Sequence, residues 1–270
     1  MVKEKKSALQ YAAILPHPPI LVPEIGKNEQ KGIAATRKAV EKIFNQLKKI
    51  DFDTLVIISP HGLIGRESVP VMNSARFCGS LGAFGAASLE FKFKGDALLA
   101  QKLIETAENY GLGVQGSDKQ NLDYGTLVPL YFFNEKKNSG RILPIGISYA
   151  SRQTLYAFGD IIKEAAEVTK RKIVILASGD LSHRLKKDSP QGYSEVARNF
   201  DQIIVSAIKK KKPKEILELS HDLAEEAGEC GIRPISILLG ALNDLKIKTS
   251  VLSYEAPFGV GYLVASMEML

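Results

Sequence analysis

The sequence predicts an α/β fold, a mostly parallel or mixed central sheet with helices on both faces. Three observations predict it. Short β-branched runs alternate with amphipathic stretches along the whole chain, the pattern of strand–helix units whose sheet is covered on both sides. The 270 residues, 45% hydrophobic and 24% charged, can bury a large core and exclude a disordered chain. No repeat, low-complexity tract or Pro/Gly/Ser-rich linker marks a boundary, so length leaves one large domain or two smaller ones open.

Each element follows from local pattern. Tyr11–Leu15 reads as a strand ending at Pro16-His17-Pro18-Pro19. From Ile33 to Ile50 the apolar residues recur on one helical face. Thr54–Ser59 is a continuous apolar strand cut by Pro60-His61-Gly62. Gly79–Gly85 lacks the Gly-Lys-Ser/Thr ending of a phosphate loop and a strand before it, and reads as a flexible loop. Ala87–Phe93 alternates as a strand with one wet face, and Asp96 caps a helix reaching Tyr110. Ile142–Ser148 is a strand, Leu155–Val168 a helix, and Lys172–Ser178 a buried strand running into Gly179-Asp180-Leu181-Ser182-His183. Helices flank Lys212-Pro213, with Pro213 as a first helical residue. A helix from Pro234 to Leu245 and strands Thr249–Ser253 and Val260–Ser266 close the chain.

Composition bounds the function. Two cysteines, Cys78 and Cys230, cannot form a disulfide framework, which favours a reducing, cytoplasmic home. The basic start is followed by no apolar stretch with a cleavage site, and no apolar run approaches the roughly 20 residues of a membrane span. A net charge of +6 permits anionic partners without demanding one. The run Lys209–Lys212 lies at a helix end, where lysines complement the dipole. No aromatic residues interleave with it to stack on bases, so nucleic-acid binding is not expected.

The histidines carry the most information. Three of the four, His17, His61 and His183, follow an apolar strand. Ligands of open α/β sheets bind beyond the carboxyl ends of strands. Any one of these residues alone reads as an inert loop histidine; three in the same topological position read as a shared site. His221 sits in a helical stretch and reads as solvated. Prolines 16 and 18 lock the backbone around His17, and Gly62 allows a tight turn beside His61. Asp180 or Ser182 is expected to accept a hydrogen bond from His183 and select its tautomer. Two imidazoles with one carboxylate and open positions make the non-haem iron(II) oxygenase arrangement. The best carboxylate is Glu229, in the Gly-rich joint Ala227–Pro234, with Cys230 next to it as a competing soft ligand. Asp123 and Tyr124 precede a glycine turn and an apolar run; a helix cap is one reading of Asp123 and simple packing one of Tyr124.

Taken in order, Pro16-His17-Pro18-Pro19, Ser59-Pro60-His61-Gly62, Leu122–Leu130, Gly179–His183 and Glu229–Pro234 resemble the class III extradiol ring-cleavage dioxygenase superfamily, the type related to protocatechuate 4,5-dioxygenase. Within it they resemble the branch of AmmeMemoRadiSam system protein B and the Memo proteins. The resemblance spans nearly the whole chain and implies a single three-layer domain over residues 1–270 with one metal. It implies His17, His61 and Glu229 as iron(II) ligands, with Cys230 as the alternative third ligand; zinc and copper are the other metals considered. It implies His183 as the acid/base group and Asp123 and Tyr124 as further catalytic positions, Tyr124 standing where ring-cleaving members often carry histidine. The implied substrates are a catechol-type aromatic diol and O₂, the ring opening beside the diol. A homo-oligomer and protein partners of the AmmeMemoRadiSam type also belong to the expectation. The rival readings are a Memo-like metal-binding redox or scaffold protein without ring cleavage, and a zinc hydrolase.

Overall fold

The computed structural model describes residues 7–135 and 140–270. The basic start of the chain lies outside the described residues. The strands are β1 (Leu9–Leu15), β2 (Thr54–Ile58), β3 (Ile64–Gly65), β4 (Val69–Met72), β5 (Arg76–Leu81), β6 (Ala86–Lys94), β7 (Val114–Ser117), β8 (Arg141–Ile145), β9 (Ile147–Ser148), β10 (Ile173–Ser178), β11 (Ile247–Glu255) and β12 (Tyr262–Met269). The helices are α1 (Pro23–Gly26), α2 (Ala34–Leu47), α3 (Ala97–Asn109), α4 (Tyr124–Glu135), α5 (Arg152–Val168), α6 (Ala197–Lys210), α7 (Pro213–Leu217), α8 (His221–Ala227) and α9 (Ile232–Ala241).

Eight strands form the main sheet in the order β11-β12-β1-β10-β2-β8-β4-β7. The central four, β1-β10-β2-β8, are parallel. Antiparallel pairing flanks them, β12 on β1 and β4 on β8, so the sheet is mixed. The apolar runs explain why the central strands lie inside: each buries both faces, and its side chains alternate between two cores. Ile14, Val56, Ile58, Ile175 and Ala177 face α3, α5, α6 and α9. Leu15, Leu55, Ile57, Val174 and Leu176 face α2 and α4 on the other side. The result is the expected α/β domain with helices on both faces. No helix among the described residues is long and apolar enough to cross a membrane.

The caps act as the sequence implies. Asp96 Oδ1 accepts from Leu99 N–H at 3.2 Å, and Pro213 opens α7. Four regions differ from expectation. The expected strand Ile142–Ser148 breaks at Gly146 into β8 of the main sheet and β9, which pairs with β3 in a separate two-stranded sheet. Gly79–Gly85 is the end of β5 and a hairpin turn, with Gly85 at φ +84°, because β5 pairs antiparallel with β6 beside the main sheet. The short strands β4 and β7 carry Pro70 and Gly116, which hide the strand pattern. Helix α4 contains Gly125 and Pro129 and is apolar nearly all round, so no helical periodicity marks it. The lysine run ends α6, where Lys211 Nζ donates to Ile247 O and Lys212 pairs with Glu215 at 2.9 Å.

Candidate metal centre

Strand order brings distant loops together. Parallel neighbours β1, β10 and β2 end side by side, about 4.8 Å between strands. His17 follows β1, Asp180 follows β10 and His61 follows β2. The His17 ring is buried, and its Nε2 stands 3.0 Å from His61 Nε2. The His17 backbone N–H donates to Asp180 Oδ1 at 3.0 Å, which ties the end of β1 to the end of β10.

The tautomer of His17 follows from a chain of hydrogen bonds that begins at a proline. Pro129 inside α4 has no N–H, so the carbonyl four residues earlier, Gly125 C=O, lacks its usual helical donor. The Ser178 hydroxyl donates to that carbonyl at 2.5 Å. Its one proton thus committed, Ser178 Oγ accepts from His17 Nδ1–H at 2.9 Å. His17 Nε2 is therefore a bare lone pair aimed at His61. Burial pushes the His17 imidazole down to about 3, and burial followed by the His17 charge pushes His61 down to about 4. Both rings are neutral at physiological pH and available as ligands.

Of the two candidates for the third position, the structure brings Cys230 to the imidazoles. Cys230 Sγ lies 3.6 Å from His17 Nε2, and the donor atoms of His17, His61 and Cys230 all fall within 4.8 Å of one another. Glu229 does not join them. Its Oε2 accepts from Ile232 N–H at 2.6 Å, at the start of α9, and its charged neighbours are Arg233 and Arg152. The turn can come this close because Gly179 and Gly231 touch: a Cβ on Gly179 would sit 2.4 Å from Gly231 Cα. Burial raises the Cys230 thiol well above its ordinary value, with Asp180 and Glu229 adding to the rise. Two neutral imidazoles, one of them presenting a bare lone pair, and a sulfur are a donor set that suits zinc, copper or iron. The residues present fit a transition-metal ion.

The remaining candidates surround this set. His183 Nδ1–H donates to Gly228 O at 2.6 Å, the arrangement that puts the lone pair of a neutral imidazole on Nε2, 3.9 Å from Asp180 Oδ2. A backbone carbonyl, rather than Asp180 or Ser182, fixes that tautomer; Ser182 Oγ donates to Ala227 O instead. Burial raises Asp180 to about 6. Asp123 caps α4, accepting from Thr126 N–H at 3.1 Å and from the hydroxyls of Ser59 and Thr126 at 2.6 and 2.8 Å. The Tyr124 ring stacks on His61 with centroids 4.6 Å apart, and burial raises its phenol. A Cβ at Gly125 would meet Ser59 Oγ at 2.6 Å and His61 Cδ2 at 3.3 Å, so only glycine fits there. His221 is exposed and pairs at 3.7 Å with Glu225, away from the cluster. Sequence reasoning missed Ser178, Ser59 and Asp201. A lone polar residue closing or following an apolar strand was the available signal for the two serines. Asp201 gives no such signal; it is fully buried, accepting from Ser182 N–H at 2.9 Å and Tyr254 O–H at 2.5 Å.

A family model for the catalytic LigB subunit of aromatic ring-opening dioxygenase matches residues 11–265, a span that includes every candidate ligand. The chain belongs to this family. Protein CA_C1420 of Clostridium acetobutylicum is 35% identical over 266 residues, 94% of this chain; the chain spans 56% of that relative's length. A 3,4-dihydroxyphenylacetate 2,3-dioxygenase of Escherichia coli is 25% identical over 266 residues, 87% of this chain and 90% of that protein. A MEMO1 family protein of Methanococcus maripaludis is 31% identical over 121 residues, 44% of this chain and 39% of that one. Among solved structures, the uncharacterized protein JW3007 of Escherichia coli K12 superposes with a TM-score of 0.68 at 15% identity, covering 96% of this chain and 99% of that one, which shows a shared fold. The expected superfamily and its Memo-like likeness both hold.

Proposed function

We propose that this chain is a metal-dependent oxygenase that opens a catechol-type ring beside its diol, with His17, His61 and Cys230 holding iron(II). The 3.0 Å approach of two imidazole nitrogens, one of them a bare lone pair, beside the Cys230 sulfur is the observation that carries the reading. When bound, the ion supplies Lewis acidity and a path for electrons between diol and dioxygen. The protein groups do the rest. His183, its Nδ1 engaged by Gly228 O, offers Nε2 to take a proton from a substrate hydroxyl and return it to the product. Asp180, 3.9 Å from that nitrogen, stabilises the imidazolium so formed. Tyr124 holds the His61 ring in place by stacking, and Asp123 holds the turn that carries Tyr124.

A second reading is favoured by one observation, the thiol where ring-cleaving chemistry expects a carboxylate: a metal-binding redox protein without ring cleavage. Anaerobic reconstitution with iron(II), followed by oxygen uptake with a panel of catechols, separates the two. Diol-dependent uptake that His183→Ala abolishes while metal content stays at the wild-type level supports the first. No uptake with any diol, with tight copper binding that Cys230→Ser removes, supports the second.

A further inference from the structure

Behind the turn that carries Cys230 lies a cavity of about 640 Å³, bounded by the starts of α5 and α9 and by α7 and α8. None of His17, His61, Cys230 or Tyr124 lines it. Its volume falls within the roughly 300–1,000 Å³ of small-molecule sites. Two arginines face it from helix beginnings: Arg152 is the first residue of α5 and Arg233 the second of α9. A guanidinium at a helix N-terminus works against the dipole, so two of them in one cavity concentrate positive potential.

The carboxylates nearby do not fully neutralise it. Glu218 and Glu225 are exposed at the rim, and Glu229, which lines the cavity and accepts from Ile232 N–H, is one carboxyl against two guanidinium groups, so it offsets only part of their potential. No carboxylate of the described residues lies at ion-pair distance from Arg233, which instead rests 5.1 Å above the Tyr149 ring. Arg152 is held in place by the carbonyls of Ile216 and Leu219. An oriented guanidinium with unused donors beside an anchored one is the device that grips carboxylate or phosphate oxygens. The exposed Tyr149 ring, at 63% accessibility, offers an apolar face to the rest of such a ligand.

We propose that this cavity binds a small organic anion, a carboxylate or a phosphate monoester, through Arg233 and Arg152. The inference does not depend on which metal the neighbouring centre holds. The test titrates the chain as purified, by calorimetry, with inorganic phosphate, with succinate and with uncharged butane-1,4-diol. Saturable binding of phosphate or succinate but not of the diol is expected, weakened by added salt. Whichever anion binds more tightly identifies the headgroup chemistry. Arg233→Gln should weaken that binding about tenfold, the scale of one charge-assisted bond, and Arg233→Lys should restore part of it. His61→Ala should leave it intact, since the metal is not involved. Absence of saturable binding with both anions overturns the proposal. So does unchanged affinity in Arg233→Gln, or loss of binding in His61→Ala, which would place the anion on the metal.

Discussion

Asp201 is fully buried, and its carboxyl rises from the ordinary 3.8 to about 7 because burial outweighs the bonds from Tyr254 and Ser182. The folded chain therefore keeps a proton there that the unfolded chain has lost. The stability this contributes is complete below about pH 4 and disappears as the pH rises through 7. A shift of this size corresponds to an effect on the order of 4 kcal/mol. Asp201→Asn keeps the shape and the neutral state, so its unfolding free energy should fall less than that of the wild type between pH 4 and 8. Denaturant titrations across that range check it, and parallel curves would contradict it. The same scale shows where residue identity stops being informative. His17, His61 and His183 stand out because each follows an apolar run. Glu229 and Cys230 are adjacent on one turn, and which of them faces inward depends on backbone geometry that side-chain chemistry does not report. Chemistry favoured the carboxylate; the turn presents the thiol.

Elements explain that turn. Gly228 ends α8 in the left-handed conformation at φ +63°, and the Gly179–Gly231 contact presses the following residues onto the end of β10. Gly179→Ala would drive a Cβ into Gly231 backbone, so the turn must move and take Cys230 from His17. Overpacking of this kind costs about 1–3 kcal/mol. The variant should melt at a lower temperature and bind metal at least about tenfold more weakly, the low end of the loss seen when groups that orient metal ligands are removed. Wild-type metal affinity in a folded Gly179→Ala chain would refute the link. Helix α4 shows the opposite limit of sequence reading. Pro129 and Gly125 argue against a helix, yet the carbonyl that Pro129 frees is the one that engages Ser178 and so sets the His17 tautomer. The central strands were legible because they bury both faces; β4, β7 and α4 were not, because proline, glycine or all-round apolarity erases the period.

At the scale of the whole molecule, one topological fact makes a site possible: β10 lies between β1 and β2, all three parallel. Residues 17, 61 and 180, far apart in sequence, are thereby delivered to one sheet edge. The helices of both layers then supply what the strands cannot, α4 the ring that stacks on His61 and the α8–α9 joint the sulfur. The most direct test is metal stoichiometry measured side by side in the wild type, His17→Ala, His61→Ala, Cys230→Ser and Glu229→Gln, each shown to be folded. One ion per chain is expected in the wild type and in Glu229→Gln, with loss in the other three. Retention of metal by Cys230→Ser together with its loss from Glu229→Gln would contradict the centre described above.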